Sequence, residues 1–140
     1  MSRKSAKIAA IISRFQGRDL EAHYLGYFEC FSHGLFYEAH DVLEELWLAE
    51  RQGPDGAFYK GLIQLAGAFV HLQKGRLRPA AALFKLARTN LQKYPATHHR
   101  LDLGGALAMI EKWLRELESG NFTLNPLAGM TAPNLPLIKP

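Results

Sequence analysis

The chain has 140 residues, of which 48% are hydrophobic, and a formal net charge of +4. That size and apolar content suit a single domain with its own core, which needs neither disulfides nor a metal to hold it. One cysteine excludes an intrachain disulfide framework, and no run approaches the roughly 20 apolar residues that span a bilayer.

The first eighteen residues carry Arg3, Lys4, Lys7, Arg14 and Arg18 and no acid, so the rest of the chain is close to neutral. Within this end Ile8, Ile11, Ile12 and Phe15 recur at helical spacing, and Gly17 can end the helix. Docking on the protein's own core, a membrane-surface helix and a nucleic-acid arm are the readings open to it. Asp19 is the expected cap of a second helix that runs to about Ser32, and here Cys30 lies among Tyr27, Phe28 and Phe31. Such a setting suggests a buried thiol in a reducing compartment, hence a cytoplasmic protein.

Gly34 turns the chain into a third helix, "GLFYEAHDVLEELW", which ends near Gln52 at "GPDG". A long helix follows from about Asp55 to Lys74 and stops at Gly75. Pro79 suits the first turn of the next, which runs to about Tyr94 before Pro95. Asp102 caps the last, Leu103 to Ser119, closed by Gly120. No segment alternates like a strand, so the fold class is all-α, a single-domain bundle of five to six helices. From Asn121 onward four of the seven prolines accumulate beside Leu124, Leu127, Leu135, Leu137 and Ile138. This reads as an extended strap that packs on its own domain or on a partner. The organisation is therefore a basic helix over residues 1–18, a bundle over 19–120 and a proline-rich strap over 121–140.

Two helices carry polar groups where core is expected. At about 100° per residue, Phe36, Tyr37, His40, Leu43, Glu44 and Trp47 share one arc of the third helix. Glu38, Asp41 and Glu45 share another, which reads as a solvated face. The long helix is apolar nearly all round and should be central, and its one polar stripe is Lys60, Gln64 and His71, with Gly67 among them. Gly67 costs about 1 kcal/mol against alanine in a helix, so a neighbouring helix or a ligand should approach closely there.

A short loop makes the two helices antiparallel neighbours, and if the stripes face each other His40, Glu44, Gln64 and His71 converge. A buried carboxylate there needs a partner. Three roles fit this cluster: a structural polar network bordering a groove, a metal site with His40, Glu44 and His71 as ligands, and a small-ligand or catalytic pocket. No Gly-rich phosphate loop or nucleophile elbow accompanies it, so a divalent metal is the one cofactor left open and no catalytic residue is assigned. Elsewhere, Trp113 reads as core, and His98 and His99 in "YPATHHR" read as a solvated loop pair, metal capture being the minor alternative.

Taken together, "GLFYEAHDVLEELW", "YKGLIQLAGAFVHLQKG" and "AAALFKLARTNLQKYP" resemble the family known as domain of unknown function 309. The resemblance covers roughly residues 24–117, and Asp41 stands where the family pattern usually has Glu. It implies a small all-α bundle similar to a hyaluronidase post-catalytic helical domain, with no established activity. Its signature polar positions map onto His40, Glu44, Trp47, Lys60, Gln64 and His71, the set chosen by helical periodicity. The function is expected to be unknown in class, with a non-catalytic or ligand-binding protein leading. A metal-dependent, hydrolase-like enzyme is the first alternative. The second is an interaction module that forms a homodimer or binds a protein through the strap. Nucleic acid is not expected as a partner.

Overall fold

A computed structural model describes residues 3–18, 20–129, 133–135 and 137–138. The described residues are all-α apart from one short hairpin: α1 (Arg3–Ser13), α2 (Ala22–Ser32), α3 (Phe36–Glu50), α4 (Gly56–Gln73), α5 (Leu77–Leu91), β1 (Thr97–His98), β2 (Leu101–Asp102), α6 (Leu103–Ser119) and the single turn α7 (Pro126–Gly129). Glycine sets three of the breaks. Gly17, Gly34 and Gly75 have φ of +79°, +72° and +71°, where a side chain would be strained.

The expected cap Asp19 lies outside the described residues. Glu21 caps α2, its carboxylate accepting from the backbone N–H of His23 at 2.7 Å and of Tyr24 at 3.2 Å. Asp102 caps α6 as expected, accepting from the N–H of Gly105 at 3.0 Å.

The central helix is α4, packed between α3 and α5. Its residues Phe58, Leu62, Leu65, Ala66 and Phe69 are completely buried. Around Phe69 the core is aromatic: Phe36 stacks on it at 5.0 Å between ring centres, and Phe31, Phe84 and Trp113 meet it edge-on. Helices α2, α3, α4, α5 and α6 thereby share one hub.

The basic helix α1 docks on this body. Ile8 is buried, and Ile11 approaches α2 where Gly26 has no side chain; a Cβ at Gly26 would lie 2.9 Å from the Ile11 methyl. Lys7 and Arg14 flank the seam with ion pairs to Glu38 (2.8 Å) and Glu29 (3.4 Å). Cys30 is buried as expected, and burial with the nearby Glu38 and Glu29 pushes its thiol up to about 11.

The strap also packs on its own domain where it is described. Asn125 donates to the Leu72 carbonyl at 2.6 Å, Leu135 is buried, and Leu137 bridges antiparallel to Leu101 of the hairpin. No helix among the described residues is long and apolar enough to cross a membrane.

Candidate functional site

The stripes chosen from the sequence border a cavity of 270 Å³ on the open side of α3, α4 and α5. It is lined by His40, Lys60, Gln64 and His71 together with Tyr37, Ile63, Gly67, Val70 and Leu83. Four of the six sequence-selected residues therefore face one space, and no carboxylate lines it. Its volume sits at the lower edge of the roughly 300–1,000 Å³ typical of small-molecule pockets.

One expectation needs correction. The cluster was expected to be buried, yet among the described residues no polar or charged residue is buried, and His40 and Glu44 side chains are 33% and 32% exposed. The reason is the width of the apolar seam. Ala39, Leu43, Leu62, Ala66 and Phe69, all fully buried, occupy the centre of the packing, which leaves the polar positions at its rim.

Within the rim the partners differ from a single convergent network. His40 places Nδ1 3.2 Å from Asp41 Oδ1 and Nε2 3.9 Å from Glu44 Oε2, so its contacts stay on α3. Lys60 holds its ammonium 4.3 Å from the centre of the Trp47 ring. Gln64 accepts a hydrogen bond at 2.8 Å from Asn90 of α5, a partner that inspection of α3 and α4 alone could not supply. His71 Nδ1 is buried and has no hydrogen-bond partner, and burial, reinforced by Arg76 and Lys74, holds this imidazole below its usual range. His71 is thus neutral at neutral pH, with an unmet polar atom. The close approach at Gly67 comes from a helix: a Cβ there would lie 3.1 Å from Leu83 of α5.

The face read as solvated is partly engaged with neighbouring helices, although Glu45 stays half exposed. Glu38 binds Lys7 of α1, Glu45 lies 3.1 Å from His23 Nε2 of α2, and Asp41 is only 14% exposed beside His40.

A second polar group joins the loop histidines to a residue that the sequence did not connect with them, Asp55. His98 Nε2 and His99 Nε2 each lie 2.7 Å from a different oxygen of Asp55, and the three ligand atoms lie within 4.8 Å of one another. The loop pair is therefore not simply solvated. Asp55 precedes α4 but makes no capping bond to it. Burial pushes its carboxyl up, and the hydrogen bonds from His99 and His98 outweigh that and hold it below the usual range. His40, Glu44 and His71 form no comparable three-ligand group among the described residues. The separation of 43 positions between Asp55 and His98 explains why Asp55 was not connected with them, since helical periodicity relates only neighbours along one helix.

Fold and groove define a small helical-bundle domain whose polar rim sits on a buried central helix. Residues 24–83 match the family model of the Domain of unknown function (DUF309). The matched span holds all six rim residues and Asp55, while His98 and His99 lie beyond it. An uncharacterized protein of Aquifex aeolicus (strain VF5) is 32% identical over 88 residues, which is 63% of this chain. The chain spans about a quarter of that relative's length, 26%. No solved structure matches the chain.

Proposed function

We propose that the domain is a cytoplasmic binding protein for a small organic anion, seated in the groove between α3, α4 and α5. The observation that carries this reading is the composition of the groove: Lys60, His40, His71 and Gln64 offer charge or hydrogen bonds, Ile63, Val70 and Leu83 offer apolar contact, and no carboxylate lines the space. A carboxylate or phosphate joined to a ring or short aliphatic chain satisfies both sets. His71 Nδ1, buried and unpartnered, is the polar atom with most to gain from a ligand or water.

Benzoate is a suitable first probe, followed through the fluorescence of Trp47 and Trp113. Saturable binding should weaken at least about tenfold in Lys60→Met, the loss expected for one charged hydrogen-bonding partner. Absence of saturable binding to benzoate, or equal binding by the variant, contradicts the proposal.

A second reading keeps the same rim but gives it a divalent ion, with His40, Glu44 and His71 as ligands of a hydrolase-like enzyme. Its support is the i,i+4 approach of His40 to Glu44; side-chain movement would have to bring His71 to them, since the three do not converge as a ligand group in this structure. Stoichiometric metal that disappears in both His40→Ala and His71→Ala supports it. Partnering through the strap is a third proposal, tested by whether loss of residues after Asn121 changes the oligomeric state.

A further inference from the structure

The turn between β1 and β2 is built from unusual residues. Register pairs Thr97 with Asp102 and His98 with Leu101, so His99 and Arg100 form a two-residue hairpin loop. Both have positive φ, +45° and +63°. This is the geometry that asparagine and glycine occupy readily and that bulky side chains resist. The chain therefore spends local stability to keep a histidine at a position where Asn would be better suited to the backbone.

The result is that two adjacent histidines, which in a continuous strand would point to opposite faces, both reach one carboxylate. Their ring centres are 4.3 Å apart. Asp55 offers one oxygen to each ring, although it stands at the start of α4 and caps nothing there. The surroundings hold this arrangement. Phe58 packs edge-on against His98 at 4.7 Å, Tyr94 lies 4.9 Å from the same ring, and the Tyr24 hydroxyl donates to the His99 carbonyl at 3.0 Å. Tyr94 in turn donates to the carbonyl of Pro54, the residue before Asp55, at 2.8 Å. Arg100, the nearest cation in sequence, turns its Nε to the Ile138 carbonyl at 2.7 Å.

We propose that Asp55, His98 and His99 form a binding site for one divalent transition-metal ion of the zinc type. Two imidazole nitrogens and a carboxylate are a three-protein-ligand set of the kind that leaves a further coordination position open. Zinc bonds of roughly 2.0–2.2 Å to nitrogen and oxygen set tetrahedral ligand separations near 3.4 Å. The present 2.7 Å contacts open to that spacing by small side-chain rotations. On binding, each Nε2 gives up the proton it donates to Asp55 and bonds the ion through the freed lone pair: a neutral ring shifts its single proton to Nδ1, and an imidazolium keeps its Nδ1 proton and loses the one on Nε2. Any proton carried in excess of neutral imidazole is released to solvent. The site lies at the other end of α4 from His71 and does not depend on the groove or its ligand.

The test is isothermal titration of untagged, chelator-treated protein with Zn²⁺ and Co²⁺, comparing wild type with His99→Asn, Asp55→Asn and His40→Ala. His99→Asn suits the positive φ, so the turn still forms while the ring nitrogen is removed; circular dichroism verifies the fold of each variant. The expected result is one equivalent of metal, weakened at least about tenfold in His99→Asn and in Asp55→Asn and unchanged in His40→Ala. No binding by wild type, or equal binding by folded His99→Asn, overturns the site. Binding lost in His40→Ala but kept in His99→Asn also overturns it and places the ion in the groove.

Discussion

The ammonium of Lys60 lies 4.3 Å from the centre of the Trp47 ring, joining the polar rim of α4 to that of α3. Both residues were prominent in the sequence as members of two stripes, and their contact shows that the stripes do meet along the α3–α4 seam. A cation held over an indole at a half-exposed position contributes about 0.5–1 kcal/mol. Lys60→Met should lower unfolding free energy by about that amount in urea, and it should alter the emission of Trp47. A variant as stable as wild type with unchanged emission means that the contact is not maintained in solution.

His23 predicts a pH dependence. It lies between Glu21, 2.8 Å from Nδ1, and Glu45, 3.1 Å from Nε2. Burial lowers its pKa, but the hydrogen bonds it donates to the Glu21 and Glu45 carboxylates outweigh this and raise it above the usual value. A group whose pKa rises on folding stabilises the fold fully below its unfolded value, near 6.5, and loses that contribution as pH climbs through the folded value. His23→Gln should therefore be destabilised at about pH 5 and approach wild-type stability by about pH 9. Thermal melts across that range measure the gap, and a gap that widens with pH refutes the assignment.

Gly61 sets the spacing of α4 and α5. A Cβ at this position would lie 2.8 Å from two carbons of Leu91 and 3.2 Å from Asn90. Despite alanine's better helix propensity, Gly61→Ala should cost about 1–3 kcal/mol through overpacking. It should also disturb the Asn90–Gln64 hydrogen bond at the groove. Chemical denaturation gives the first quantity, and a stabilised variant would show that the two helices separate without cost.

Much of the helical scaffold was legible because its breaks are marked by residues with a local reason to be there. Gly34 and Gly75 take positive φ, Pro95 follows α5, and Asp102 caps α6, so each boundary could be read within a few positions. The rim residues were legible as well, since periodicity places His40, Lys60, Gln64 and His71 correctly around their own helices. Their burial was not, because exposure depends on how wide the apolar seam is and on α5, which supplies Asn90 and Leu83. The hairpin left almost no signal: two-residue strands cannot show alternation, and a His-Arg turn lacks the Asn or Gly that announces positive φ. Asp55 was visible only as the start of a helix, and its pairing with His98 and His99 is set by the fold.

The most direct measurement for the groove is chemical-shift mapping by NMR during titration with benzoate, observing methyl groups and histidine side chains. The account predicts saturable shifts concentrated at Ile63, Val70, Leu83 and His71, the residues that line the space, with those around His99 unchanged. Shifts scattered over the surface, or confined to the seam between α1 and α2, would contradict a binding site between α3, α4 and α5.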